Sequence, residues 1–187
     1  MRNFQLIAQG VDVLPLLLAV QQRAELWNAN TLRTQYPGTP HEQVDDIWLR
    51  FDDVKHLLKQ NSDAIKLLDL NEVINYPAWG LLPQAKPLIF DLMHRVWGTR
   101  LGRAMITRLA PGKRVLPHKD EGGHATYYER YHVILQNGPG SVFHCGGESV
   151  TMAPGSVWWF DNGKEHEIVN NSGDDRLTMI VDIRADK

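Results

Sequence analysis

Turn-forming dipeptides divide the second half of the chain into short segments. After Gly102 they occur at Pro111-Gly112, Asn137-Gly138, Gly146-Gly147, Pro154-Gly155 and Asn162-Gly163. Glycine and proline interrupt regular structure, and Asn-Gly is typical of the tight turns that join adjacent strands. No helix of ordinary length fits between the last four of these turns. The pattern therefore predicts a half that is almost entirely β-strand.

The segments between the turns are rich in apolar, β-branched and aromatic residues, as strands are. Seven strands are predicted, over residues 104–109, 128–135, 141–145, 148–152, 156–160, 166–170 and 176–183. So many short strands in residues 101–187 favour a jelly roll. Trp158, Trp159 and Phe160 are assigned mainly to core packing on one of these strands, because alternate residues of a strand face the interior.

The first hundred residues carry helical signals mixed with one strand. Asp12 is a candidate N-cap for a helix that runs towards Trp27, and Pro15 is acceptable in its first turn. A second helix is predicted over residues 86–97, after a Pro/Gly-rich loop at 36–40. The apolar residues of segment 46–51 alternate in the manner of a strand. We expect this half to combine helices and strand.

Length and continuity predict one domain. At 187 residues the chain is long enough to bury its own core, and the change of pattern near residue 100 comes without a flexible linker. Residues 1–100 are expected to buttress the sheet and to contain the substrate region, and residues 101–187 to form the catalytic core. The predicted fold class is mainly β with flanking helices, an α+β arrangement built on a jelly roll.

Composition limits the partners and the compartment. The 20 basic and 22 acidic residues give a net charge of −2, so no nucleic-acid partner is indicated. The longest apolar run, from Val13 to Val20, is too short to span a bilayer, and no membrane insertion is expected. Cys145 is the one cysteine, and the N-terminus does not resemble a secretory signal. These features favour a cytoplasmic protein.

Three residues form a candidate metal site. His118 and Asp120 are two residues apart, so an extended backbone projects both side chains from one face. His166 begins a predicted strand just after the Asn162-Gly163 turn, and a jelly roll can bring this point beside His118. Two histidines and one carboxylate form the facial triad that binds iron(II) and leaves positions open for reactants. A structural zinc site would instead be closed.

Arg176 lies ten residues beyond His166, at the start of the last strand. An inward guanidinium there could bind the far end of a dicarboxylate through two hydrogen bonds. A lone His-x-Asp pair is weak in a chain with eight histidines, and its significance comes from the whole set. The other histidines are interpreted as mainly structural, or as supporting the ligands; they are His41, His56, His94, His124, His132 and His144.

The same segments resemble a known family. They are the run Ile106-Thr-Arg-Leu-Ala-Pro-Gly-Lys-Arg-Val-Leu-Pro-His118-Lys-Asp120, followed by Arg130-Tyr-His132, Trp159-Phe-Asp-Asn162, His166 and Arg176. Together they resemble the aspartyl/asparaginyl β-hydroxylases, which are Fe(II)- and 2-oxoglutarate-dependent dioxygenases. The resemblance covers about residues 104–184, and residues 1–100 match no motif of that family.

The resemblance implies a double-stranded β-helix, the cupin-like form of the jelly roll, with iron at His118 and His166. It also implies that Arg176 and Thr107 hold the distal carboxylate of 2-oxoglutarate, and that Arg130 and His132 line the same pocket. Animal members of the family lack the carboxylate ligand. Because this chain has Asp120 at that position, we predict three ligands.

The implied reaction uses dioxygen and 2-oxoglutarate to hydroxylate an unactivated C–H bond, with release of succinate and carbon dioxide. The expected substrate is an amino acid or a peptide or protein side chain such as Asp or Asn. Arg33, Arg50 and Trp48 are candidates for binding a carboxylate-bearing substrate, and segment 119–129 could close over it on Gly122 and Gly123.

Two alternatives remain open at this point. One is a cupin-like module that binds a metal or small ligand without 2-oxoglutarate turnover. The other is a jelly-roll isomerase or dioxygenase that needs no cosubstrate.

Overall fold

The computed structural model describes residues 1–54 and 72–185. Their strands are β1 (Phe4–Ala8), β2 (Asp45–Phe51), β3 (Ile74–Asn75), β4 (Gly98–Leu109), β5 (Arg114–His118), β6 (Glu129–Gln136), β7 (Ser141–Cys145), β8 (Glu148–Val150), β9 (Val157–Phe160), β10 (His166–Asn170) and β11 (Arg176–Ala185). The helices are α1 (Leu14–Gln21), α2 (Leu32–Gln35), α3 (Pro77–Leu81), α4 (Ala85–Arg95) and α5 (Gly122–Tyr127), with a 3₁₀ turn at Ala24–Leu26.

The strands form two antiparallel sheets. The larger has the order β1-β9-β6-β11-β4-β2-β3, and the smaller has the order β5-β10-β7-β8. An apolar cluster with members from both sheets fills the space between them, among them Ile134, Phe143, Phe160 and Ile168. This arrangement confirms the predicted fold class, mainly β with flanking helices and a jelly-roll topology.

Helices α1 and α4 cover the outer face of the larger sheet. Leu16 and Val20 of α1 and Leu88 and Ile89 of α4 pack against sheet residues in one core cluster. Leu16 is fully buried, which contributes roughly 2 kcal/mol relative to exposure. Among the described residues, no helix is long and apolar enough to cross a bilayer.

Strand β11 separates the two apolar regions because its residues alternate between faces. Leu177, Met179 and Val181 belong to the core beneath the helices. Arg176 and Ile180 line a cavity between the sheets instead. The predicted inward direction of Arg176 therefore agrees with the structure.

Three strands were missing from the sequence-based prediction: β1, β3 and β5. β3 consists of two exposed residues and gives no apolar pattern. β5 contains Pro117 and buries only Val115, so it lacks the apolar alternation of a strand. It lies at the edge of the smaller sheet, where a proline costs no ladder hydrogen bond. β1 is also an edge strand, and only Phe4 of its five residues is buried.

The predicted helix from Asp12 to Trp27 is shorter than expected. The side chain of Asp12 does accept a hydrogen bond from the backbone of Leu14, at 3.2 Å, but α1 ends at Gln21 and a separate 3₁₀ turn follows. The second predicted helix is α4, which ends at Arg95. Trp97 has a φ of +55°, in the left-handed region that terminates helices.

Candidate metal centre

The predicted ligands meet where β5 ends and β10 begins. His118 and His166 are register partners in this antiparallel pair, and their ring centroids are 4.2 Å apart. Asp120 follows β5 by two residues, and its backbone N–H donates to the Asn162 carbonyl at 2.9 Å. One ligand atom from each of His118, Asp120 and His166 lies within 4.8 Å of the others.

Backbone carbonyls select the tautomer of both histidines. Nδ1 of His118 lies 2.8 Å from the Leu116 carbonyl oxygen, and Nδ1 of His166 lies 2.9 Å from that of Lys164. A carbonyl only accepts, so each Nδ1 carries the proton and donates it. Each Nε2 then has its lone pair available for a metal, and the hydrogen bond fixes the ring orientation.

Burial keeps both imidazoles uncharged. It lowers the pKa of His118 to about 4, with a further decrease from neighbouring His166, and burial also lowers the pKa of His166. Metal ligation requires the neutral ring. The pair is therefore ready to bind a cation at neutral pH.

Asp120 presents one oxygen to the histidines and the other to an arginine. Its Oδ1 lies 3.7 Å from Nε2 of His118, while its Oδ2 accepts hydrogen bonds from Nη1 of Arg130 at 2.6 Å and from the Asn162 amide at 3.3 Å. Burial opposes the charged form, but the Arg130 guanidinium holds the pKa of Asp120 below its usual value. The carboxylate is thus charged and oriented.

Arg130 is itself fixed by a second carboxylate. Its Nε and Nη2 donate to Asp182 at 2.8 and 2.9 Å, and Nε2 of His124 lies 3.0 Å from the same carboxylate. Although burial alone would raise the pKa of Asp182, Arg130 and His124 hold it far below the usual range. This network connects helix α5 to the candidate ligand Asp120.

A cavity between the sheets begins at the two histidines, and we call it the inner cavity. Its lining includes Thr107, His118, His132, Phe143, His166 and Arg176. Phe143, Phe160 and Ile168 make much of its wall apolar.

Arg176 is a buried cation with no acidic partner among the described residues. It is 4% exposed, and its one hydrogen bond there is a weak contact with Sδ of Met152 at 3.8 Å. Burial lowers the pKa of Arg176 to about 10, so the guanidinium is charged at neutral pH. The hydroxyl of Thr178 and Nδ1 of His132 are also buried without a partner in the described chain. Of these residues, Arg176 and His132 line the inner cavity, where they can bind an anion.

A second cavity, the outer cavity, lies on another side of the same centre. Its lining includes Arg33, His41, Phe51, Arg103, Lys119 and His124. Four residues line both cavities: Arg33, His41, His118 and Arg130. The two cavities therefore adjoin at the candidate metal centre.

Comparison with known proteins identifies the family. A model of the aspartyl/asparaginyl β-hydroxylases matches residues 55–186. The chain belongs to this family. It is accordingly an oxidoreductase of the dioxygenase class, and its histidine and aspartate site suggests iron. A comparison with curated proteins gives no match.

Several solved structures are similar to this chain. An oxidoreductase of the 2OG-Fe(II) oxygenase family from Burkholderia pseudomallei has 15% identity and a TM-score of 0.49, over 75% of this chain and 66% of the other. A predicted oxalate decarboxylase from Thermotoga maritima has 28% identity and a TM-score of 0.37, over 50% and 72%. A cupin domain from Bordetella pertussis Tohama I has 20% identity and a TM-score of 0.37, over 46% and 85%.

The structure brings the predicted site residues together around the two cavities. Thr107 lines the inner cavity, but its hydroxyl already donates to the Thr178 carbonyl at 3.4 Å. Arg130 lines both cavities while its nitrogen atoms are engaged by Asp120 and Asp182. It is therefore placed to orient a ligand more than to bind an anion.

The three candidate substrate-binding residues of the N-terminal half differ in their positions. Arg33 lines both cavities, whereas Arg50 binds Asn75 and lies over the ring of Trp79. Trp48 stacks on Phe51 with ring centroids 3.9 Å apart and lines neither cavity. Only Arg33 of the three is placed to contact a substrate.

Segment 119–129 contains helix α5 where a loop was expected. Lys119, Glu121 and Ala125 line the outer cavity, so the segment does lie beside the site. Gly122 has a φ of +93°, a conformation that favours glycine.

Of the remaining histidines, His124 is buried in the Asp182 network and His132 lines the inner cavity. Neither His94 nor His144 lines either cavity. His56 lies outside the described residues.

Sequence reasoning undervalued His41. Its ring meets that of His118 edge to face at 4.9 Å, and burial together with nearby Arg33 lowers its pKa well below the usual value. It lies in the first half of the chain, so no local spacing connects it to His118. Asp182 also went unnoticed, although a lone acid within the apolar run of residues 177–183 is a usable signal.

Proposed function

We propose that this β-hydroxylase is an Fe(II)- and 2-oxoglutarate-dependent dioxygenase that hydroxylates a C–H bond and releases succinate and carbon dioxide. The proposed substrate is an amino acid or a peptide or protein side chain such as Asp or Asn. His118, Asp120 and His166 would hold the iron. When bound, iron supplies the activation of dioxygen that protein side chains cannot provide.

The donor set fits iron(II). Two neutral imidazoles with free Nε2 atoms and one charged carboxylate form a facial triad, which suits iron more than a closed structural site would. The Oδ1 atom of Asp120 has no hydrogen-bond donor among the described residues, whereas Oδ2 has two. One carboxylate oxygen is therefore reserved for the cation.

The observation that best supports 2-oxoglutarate as the cosubstrate is the buried charge of Arg176. An isolated ion in an apolar interior costs several kcal/mol unless it is paired. No carboxylate of the described chain pairs with Arg176, and the inner cavity connects it to His118 and His166. A dicarboxylate held at the metal by one end would supply the missing counter-charge at the other. 2-Oxoglutarate has this form.

The remaining residues position and protect the reactants. Phe143, Phe160 and Ile168 line the inner cavity and exclude water from the reacting groups, which limits side reactions. Arg130 and Asn162 hold Asp120 in place. The substrate would enter from the outer cavity, on the other side of His118.

The test is anaerobic titration of 2-oxoglutarate into the iron-loaded protein, followed through the metal-to-ligand charge-transfer band. Wild type should develop the band at saturable concentrations, and Arg176→Ala should need far more cosubstrate. Arg184→Ala is the matched control, because Arg184 lies on the same strand but contacts Tyr127. Equal affinities in wild type and Arg176→Ala would remove the support for this cosubstrate.

The cupin-like alternative predicts binding without turnover. Succinate formation under oxygen separates the two functions. Iron binding with no succinate from any candidate amino acid or peptide would favour the binding module.

The proposed compartment remains the cytoplasm. Cys145 is the one cysteine of the chain, and its buried thiol donates to the Asp161 carbonyl. A chain with one thiol gains no internal disulfide from an oxidising environment.

A further inference from the structure

The wall of the outer cavity has a repeated charge arrangement. Three arginines line it, and each is paired with an aspartate: Arg33 with Asp46, Arg103 with Asp52, and Arg130 with Asp182. The aspartate side chains are 0%, 0% and 2% exposed, and none of them is part of the cavity lining. The carboxylates therefore lie behind the guanidinium groups. The guanidinium groups therefore face the cavity, whose lining also contains Lys119 and the carboxylates of Asp120 and Glu121. A substrate carboxylate would be recognised locally at an arginine, because the lining as a whole carries both signs of charge.

Arg33 differs from the other two in how it uses its guanidinium. Its Nη1 donates to both oxygens of Asp46, at 2.9 and 2.8 Å. Within the described residues, Nε and Nη2 of Arg33 have no hydrogen-bond partner. In contrast, Arg130 engages Nε, Nη1 and Nη2, and Arg103 lies over the ring of Phe51 at 4.6 Å. The edge of the Arg33 guanidinium formed by Nε and Nη2 is thus available to a ligand.

A guanidinium edge with two parallel N–H groups matches the two oxygens of a carboxylate. The buried partner Asp46 holds Arg33 in place before any ligand arrives, which reduces the entropy lost on binding. The Arg33 side chain is 12% exposed, so an uncharged ligand would leave its N–H groups largely unpaired. A neutral analogue therefore loses the electrostatic attraction and also leaves largely buried N–H groups without an acceptor.

We propose that the outer cavity binds a substrate that bears a carboxylate, and that Arg33 is the residue that contacts this carboxylate. Apolar parts of the substrate would pack against Tyr36, Phe51 and Met105, which line the same cavity. The inference rests on the proposed function and names the substrate class of its site. A free amino acid and an aspartyl peptide both supply this group.

Two pairs of probes test the inference and distinguish the sources. N-acetyl-L-leucine and N-acetyl-L-leucinamide differ in an α-carboxylate, and the N-acetyl N-methylamides of aspartate and asparagine differ in a side-chain carboxylate. Each probe is titrated calorimetrically into anaerobic, iron-loaded protein that holds saturating 2-oxoglutarate, so that Arg176 is already occupied. Wild type should bind the charged member of one pair about tenfold or more tightly than its amide, since hydrogen bonds to charged groups are the strong ones.

Variants assign the preference to Arg33. Arg33→Lys keeps a charge beside Asp46 but loses the planar edge, and Arg33→Gln with Asp46→Asn removes both charges without leaving a buried ion. Both should abolish most of the carboxylate preference, measured with 2-oxoglutarate saturating for each variant because Arg33 also lines the inner cavity. Arg50→Lys is the matched control, since Arg50 lies on β2 and contacts neither cavity. A thermal melt establishes that each variant is folded.

The outcomes separate this inference from the proposed function. Absence of a carboxylate preference in both probe pairs, or its retention in both Arg33 variants, overturns the role of Arg33. The proposed function fails independently if 2-oxoglutarate itself produces no charge-transfer band. A preference in the leucine pair identifies an α-carboxylate, as carried by a free amino acid or a peptide C-terminus, and a preference in the aspartate pair identifies an aspartyl side chain.

Discussion

Arg130 binds Asp120 and Asp182 at the same time, through different nitrogen atoms. The planar guanidinium therefore holds the two carboxylates at a fixed separation. Burial alone would lower the pKa of Arg130, but the carboxylates of Asp120 and Asp182 raise it above the usual value. Since Oδ2 of Asp120 is occupied in this way, its Oδ1 is directed towards the imidazoles. The orientation of one candidate ligand thus depends on a residue that does not ligate.

Replacing Arg130 by lysine should weaken iron binding. Lysine keeps the charge but cannot bind both carboxylates as a fork. Loss of a partner that orients a ligand typically reduces metal affinity by about 10- to 100-fold. Iron affinity can be measured anaerobically against a competing chelator. Asp120→Ala, measured alongside, should lose at least as much affinity, and an unchanged affinity in Arg130→Lys would show that Asp120 needs no such support.

His118→Ala and His166→Ala should each abolish iron binding and 2-oxoglutarate turnover while the protein remains folded. Each change removes one of the two imidazole ligands. The matched control is His144→Ala, because His144 lies on β7 of the same sheet but contacts Ser149 outside both cavities. Metal content and circular dichroism give the readouts. Full activity in either ligand variant would exclude this metal assignment.

Arg176→Met should stabilise the protein in the absence of cosubstrate. Methionine replaces a buried, unpaired charge with an apolar chain, and removal of buried charges in favour of apolar residues has stabilised proteins by about 1–4 kcal/mol. The same variant should lose on the order of 2–5 kcal/mol of 2-oxoglutarate binding. Urea unfolding with and without 2-oxoglutarate measures both effects. A less stable apoprotein would mean that Arg176 already has a favourable partner.

Acid should destabilise the metal-free protein through His118. Its pKa is about 4 when folded and about 6.5 when unfolded, so the unfolded chain binds more protons between these values. The free energy of unfolding therefore falls as pH decreases from 6.5 to 4, by about 3 kcal/mol from this residue. His166 acts in the same direction.

The His118 contribution can be isolated by comparing wild type with His118→Gln. Carboxylates titrate in the same range, but their effect is common to both proteins. The stability difference between the two should shrink by roughly 3 kcal/mol as pH falls to 4. Parallel pH profiles would contradict the low pKa.

The triad was predictable because its signals are local. His118 and Asp120 share a face through strand spacing, and Arg176 points inward because it alternates with Leu177. Strand β5 was not predicted although it carries His118, because one buried residue in five gives no apolar period. The candidate metal ligands could therefore be predicted even though the strand that carries His118 was not.

The support around the triad required the fold. His41 reaches His118 from the far half of the chain, and the pairing of Arg130 with Asp182 spans 52 positions. The unused edge of Arg33 depends on which nitrogen atom faces Asp46. Such contacts follow from sheet order and side-chain geometry, and the spacing of residues along the chain does not predict them.

Strand β2 pairs with β4, and it brings Asp46 into the same sheet as Arg176. Both Asp46 and its partner Arg33 precede residue 55, where the match to the family begins. A search based on the shared region therefore leaves out Arg33 and the other outer-cavity residues that precede residue 55. Two homologues could be identical throughout that region and still accept different molecules. Functional transfer between relatives should compare their first fifty residues before any substrate is assigned.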